Sequence, residues 1–195
     1  MSALPLEPWM GLRAALLLAG GRADGVVLMG GESPAHQMAR ARHSFVALLL
    51  CLPLFLGLQL LEGGEFGEAT LRGLASVVLG WLGYAVLSQA LAASLGRAVL
   101  WPRFLALWSW CNLVQYLLMA AAAVPGLLGA PGLVVQVAWV VALGWALWLQ
   151  WSATRLALAL SGWAAAMLVV ADYALGVMVL RFVSKGIMGQ GLLGG

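Results

Sequence analysis

The chain has 195 residues, 64% of them hydrophobic and only 9% charged, with a mean hydropathy of +1.00. Soluble domains carry about 25% charged residues, so this composition excludes an ordinary water-soluble globule and fits a chain whose solvent is the lipid bilayer. The net charge of +3 comes from 10 basic and 7 acidic residues placed mostly outside the apolar runs; no basic–aromatic groove pattern accompanies it, and nucleic acid is not an expected partner.

In chain order, PWMGLRAALLLA (8–19) reads as a short helix that starts at Pro8 and is stopped by Gly20-Gly21. Trp9, Leu12 and Leu16 share a face and Arg13 lies off it. A crossing needs about 20 apolar residues for a hydrocarbon core about 30 Å thick, so this helix is too short to span. It lacks a basic leader and a small-residue cleavage site, so it is not read as a cleaved signal peptide. The preferred reading is an amphipathic helix lying in the membrane interface, and the alternative is a helix packed on the ends of a bundle. Residues 1–32 would form a cytoplasmic N-terminal segment. Ser33-Pro34 is the next start signal, with Ser as N-cap and Pro at the first helical position. One helix is expected to run from there through AHQMARARHSF and enter the membrane near Phe45.

Five apolar segments follow, at about 45–61 (containing Pro53 and Gln59), 74–95, 104–124, 133–151 and 156–180. They are continuous and do not alternate with period two, so helices are favoured over barrel strands. The connectors are EGGEFGE (62–68), GRAVLWPR (96–103), PGLLGAPG (125–132) and the short break at 152–155. Links this short make successive helices antiparallel neighbours. The expected fold is all-α, a polytopic transmembrane bundle of five spans over 33–182, with a short N-terminal amphipathic helix and a Gly-rich tail at 183–195. Arg13, Arg22, Arg40, Arg42, Arg97, Arg103 and Arg155 fall on one side of such a bundle, and Arg72, Arg181 and Lys185 on the other. The basic excess marks the cytoplasmic side, placing the N-terminus inside and the C-terminus outside. Nine of the ten basic residues are Arg, a hint of a GC-rich bacterial genome and hence of an inner membrane.

Polar residues inside spans are the candidates for chemistry. Asp172, in MLVVADYALG, is the only acidic residue in any span, and an intramembrane carboxylate is expensive enough to suggest a role. Trp108, Asn112, Gln115 and Met119 share a face of the third span. An unpaired amide in hydrocarbon costs several kcal/mol, so Asn112 and Gln115 must face protein. They would either hold helices together or line a polar site. Gln89 and Tyr84, on the second span, are the further candidate partners of Asp172, and Ser88 could join the same seam. Gln136 and Gln150 fall near opposite ends of the fourth span, where interfacial placement accounts for them.

Trp81, Trp101, Trp139, Trp151 and Trp163 lie near span ends, in the headgroup belt; Trp108, Trp110, Trp145 and Trp148 lie deeper and are expected to pack. Gly80, Gly83, Ala120–Ala123, Gly144 and Ser161-Gly162 offer close helix contacts, suited to self-association or to a membrane-protein partner. Cys51 and Cys111 sit in apolar runs as small hydrophobes. His36 and His43 share a face of the juxtamembrane helix without a carboxylate or cysteine beside them, so no metal is expected. The chain holds no HExxH, GxSxG or P-loop and no nucleophile–base pair, so neither catalytic residues nor a cofactor are assigned.

RARHSF leading into the first span, GWLGYAVLSQALA in the second, RFLALWSWCNLVQYLL after a Pro-Arg turn, the Pro/Gly link and two closing spans together resemble the Yip1 family of five-span membrane proteins over residues 40–182. A lone Gly83-Tyr84 resembles the Gly-Tyr element of that family. The acidic–aromatic Gly-Pro signature of its eukaryotic members is absent, LEPWMG being the nearest stretch. The resemblance implies a non-enzymatic integral membrane protein with a membrane-organising or interaction role. A small transporter or channel-like subunit using Asp172, and an accessory subunit of a larger membrane complex, are the alternatives.

Overall fold

The computed structural model describes residues 8–30, 33–61 and 66–188. Among them there are helices and no strand: α1 (Pro8–Ala19), α2 (Asp24–Leu28), α3 (Pro34–Leu61), α4 (Glu68–Ser94), α5 (Trp101–Leu127, preceded by a 3-10 turn at Ala98–Leu100), α6 (Gly132–Ala157) and α7 (Gly162–Met188). Five of these, α3 to α7, are long and apolar enough to cross a membrane. At 26–28 residues each and about 1.5 Å per residue they exceed a hydrocarbon core of about 30 Å. The helices outrun the apolar segments because a helix satisfies its own backbone and need not stop where the lipid does. α3 begins as its sequence signal predicts: the His36 backbone N–H donates to Ser33 Oγ at 3.3 Å.

α5 is the axis of the bundle. In its most apolar stretch 56% is buried, against 17–22% in the other four. α3 packs along one side of it and α6 along another, while α7 bridges α6 and α4. The backbones of α4 and α5 stand apart, and aromatic rings fill the space between them. Tyr84 of α4 lies 5.2 Å from the Trp108 ring and 6.3 Å from Phe104, and Trp81 meets Tyr116 edge-on at 6.2 Å. Conversely, Val86, Val140, Val141 and Phe182 point away from the core. In water such a surface would be a liability; in a bilayer it faces acyl chains.

Four helices close with one device. The backbone N–H groups of Arg22, Arg97, Ala130 and Leu160 reach back five residues to the carbonyls of Leu17, Ala92, Pro125 and Arg155. Such a Schellman closure needs a left-handed residue just before the donor. Gly21, Gly96 and Gly129 fill that position, and Ala159 does so at φ 51°. The stop read at Gly20-Gly21 is therefore the observed end of α1.

Two expectations are corrected. The fourth and fifth spans are not separated at 152–155: α6 runs on to Ala157, and the turn lies at 158–161. Ser152 and Thr154 look like breakers in the sequence, but both are buried in the helix, where Thr154 Oγ1 donates to the Gln150 carbonyl at 2.8 Å. Arg103 at the start of α5 then donates to the Ala157 carbonyl from Nε (3.2 Å) and Nη2 (2.5 Å), satisfying a carbonyl that a helix end leaves free. The second correction concerns which face of α1 packs against α5, and it is not the stripe of Trp9, Leu12 and Leu16. Its buried face is Gly11, Ala14, Ala15 and Leu18, while Trp9 and Leu16 of the stripe read from sequence point outward and Leu12 packs partly. Small residues make the seam because they let α1 approach the Trp110 ring closely.

Candidate functional site

Asp172 of α7 is half-buried and accepts two hydrogen bonds on one oxygen. Trp108 Nε1 of α5 donates to its Oδ2 at 3.2 Å, and Gln150 Nε2 of α6 donates to the same atom. Three spans thus meet at one carboxylate oxygen. Trp108 is 2% exposed, so its indole N–H has no access to water and would otherwise be a stranded donor. By helix rise Trp108 and Gln150 sit about 10 Å in from the ends of α5 and α6 that carry Arg103 and Arg155, and Asp172 about 15 Å in from the start of α7.

The candidate residues divide around this cluster. Tyr84 joins it by packing its ring against Trp108 at a tilt of 44°, and its hydroxyl donates to the Leu168 carbonyl of α7 at 3.3 Å. Asn112 lies one turn further along α5, where its amide donates to the carbonyl of Trp108 at 2.9 Å. Gln115 donates across to the Ala146 carbonyl of α6 at 2.9 Å. Neither of these amides bonds Asp172. Gln89 is exposed on the far side of α4, and Ser88, fully buried, accepts from Trp101 Nε1 at 3.1 Å. The single seam containing Ser88, Gln89, Asn112, Gln115 and Asp172 does not form.

Gln150 is the residue that sequence reading misplaced. Ending the fourth span at 151 put it in the interface. Because α6 continues to Ala157, Gln150 lies nearly two turns inside and reaches the bundle interior. The signal was present in the spacing of Gln150 and Thr154, a polar pair on one helix face. Elsewhere, His36 pairs with Ser33 Oγ and His43 with the Ala39 carbonyl, and Cys51 and Cys111 are buried.

Chemically, a carboxylate held by an indole and an amide is an acceptor with its donors already in place. It ties helices together and is also the kind of group that can take up a proton. Among the described residues no Lys or Arg pairs with it. A five-span apolar bundle knotted by interior polar groups defines the class: this is a multi-pass α-helical membrane protein. No family model, no curated protein and no solved structure matches the chain.

Proposed function

We propose that this chain is a non-enzymatic, Yip1-like integral membrane protein of a bacterial inner membrane, with a structural, membrane-organising or interaction role and its N-terminus in the cytoplasm. The observation that carries the reading is the capture of Asp172 by Trp108 and Gln150. The polar residues that looked most like a solute path already have protein partners: Asn112 within its own helix, and Gln115 on α6 and Asp172 on α5 and α6 across helices. Interhelical bonds of this kind contribute about 1 kcal/mol each, which suits register more than turnover. The distribution of arginines supports the orientation, and the layout over 40–182 supports the family likeness.

A second reading, a small proton- or cation-conducting subunit, is favoured by one fact: the carboxylate of Asp172 lies inside a span without a basic partner among the described residues. Reconstitution in vesicles carrying a pH-sensitive dye separates the two. The structural role expects proton flux no greater than in protein-free vesicles, unchanged in Asp172→Asn, with loss of thermal stability in Asp172→Leu. A flux that wild type supports and Asp172→Asn abolishes, with the fold retained, would replace the first reading by the second. An accessory-subunit role would appear as a defined heteromeric mass when native membranes are extracted in mild detergent.

A further inference from the structure

Away from the Asp172 cluster, a groove of about 170 Å³ opens between α3, α4 and the start of α5. Its floor is Ala41, Ala85 and Leu105, all buried; Phe45 and Trp101 form walls; Arg42 and Gln89 lie at its polar margin. The groove exists for two reasons. Ala41 and Ala85 carry only a methyl each where α3 and α4 face one another. The Trp101 indole is also held back, because its Nε1 donates to Ser88 Oγ at 3.1 Å and Ser88 itself donates to the Ala85 carbonyl at 3.1 Å. On the outer side stands Val86, 70% exposed, so the groove opens sideways toward lipid.

We infer that this groove binds one phospholipid with an anionic headgroup, an acyl chain lying over Ala41, Ala85 and Leu105 and the phosphate meeting the Arg42 guanidinium. Size decides against a whole soluble ligand: pockets that enclose one measure about 300–1,000 Å³, whereas this groove suits a segment of chain whose remainder stays in the bilayer. Charge decides the headgroup. Arg42 is exposed, and the described carboxylates are engaged elsewhere: Asp24 with Arg22, Glu68 with Arg72, and Asp172 with Trp108 and Gln150. Basic residues beside clefts between spans are suited to anionic headgroups. Gln89, at the same margin, adds an amide donor for a phosphate or ester oxygen.

The test is native mass spectrometry of delipidated, folded protein titrated with phosphatidylglycerol or phosphatidylcholine. Wild type should prefer phosphatidylglycerol by about fivefold, the factor one arginine near an anionic surface supplies. Arg42→Gln, on an exposed side chain, should bring the two lipids to parity. Ala85→Leu, which fills the floor, should weaken both, and circular dichroism establishes that it remains folded; Val86→Trp, narrowing the opening from outside, serves if it does not. The inference is overturned if Arg42→Gln keeps the preference, if a folded floor or rim variant binds both lipids as wild type does, or if chainless glycerol phosphate competes as well as the lipid.

Discussion

Gly11 of α1 lies so close to Trp110 of α5 that a Cβ built on it would fall 2.0 Å from the indole Nε1. Gly25 of α2 stands in the same relation to α1, where a Cβ would fall 2.3 Å from the Ala14 carbonyl oxygen. The N-terminal helices are therefore seated by missing side chains: α2 on α1, and α1 on the axial helix. Arg40 of α3 completes the join, donating to the carbonyls of Leu28 at 3.2 Å and Gly30 at 2.7 Å.

Gly25→Ala should consequently destabilise the docking of α1 and α2. The atom it meets is backbone, which cannot rotate aside, so the expected cost is that of overpacking, about 1–3 kcal/mol. Limited proteolysis in detergent reads this as faster cleavage within residues 20–30. Cleavage at the wild-type rate would show that the two helices are not held as described.

Asp172→Leu leaves the buried Trp108 indole N–H and the Gln150 amide without their acceptor, at a cost of about 1–3 kcal/mol. Gln150→Leu alone should cost less, since Asp172 retains Trp108. The double variant should be less destabilised than the sum, with a coupling of about 0.5–3 kcal/mol. Thermal unfolding of the four proteins in one detergent measures it; strict additivity would mean that the two side chains do not meet.

Ala159 carries a left-handed φ of 51° at the α6–α7 turn. An L side chain there costs about 1–2 kcal/mol; glycine relieves that strain but loses about 0.4–1 kcal/mol of it again, because it raises the entropy of the unfolded chain. Ala159→Gly should therefore raise the unfolding midpoint slightly, whereas Gly129→Ala, at φ 72°, should lower it. A reversed order would place the turn elsewhere than 158–161.

An odd number of crossings puts the two ends of the bundle on opposite sides of the membrane. Cysteines introduced at Ala35, before the first crossing, and at Ser184, where the last apolar span ends, should react with an impermeant maleimide from opposite faces, Ala35→Cys only after the cell is opened. Cys51 and Cys111 are buried, so they should contribute little background. Labelling of both sites from one face would refute the five-span topology.

The lengthy apolar segments were legible because their signal is local: composition and continuity alone separate a spanning helix from a strand or a loop. So were the start at Ser33-Pro34 and the stop at Gly20-Gly21, each set by backbone chemistry within a single turn. The turn at 158–161 was not legible, because an alanine there does what glycine does at the other three closures. That one displacement sent Gln150 to the interface and hid it as a partner of Asp172.

By itself, then, the sequence determined the solvent, the number of long helices and the fact that Asp172, Asn112 and Gln115 had to find protein partners, since lipid offers none. Only the tertiary structure decided which partners those are. Side chains on different spans meet according to how helices rotate and slide against one another, and on this chain that was settled by volumes: the large rings of Trp108 and Tyr84 between α4 and α5, and the small faces of Gly11 and Ala14 beneath α1.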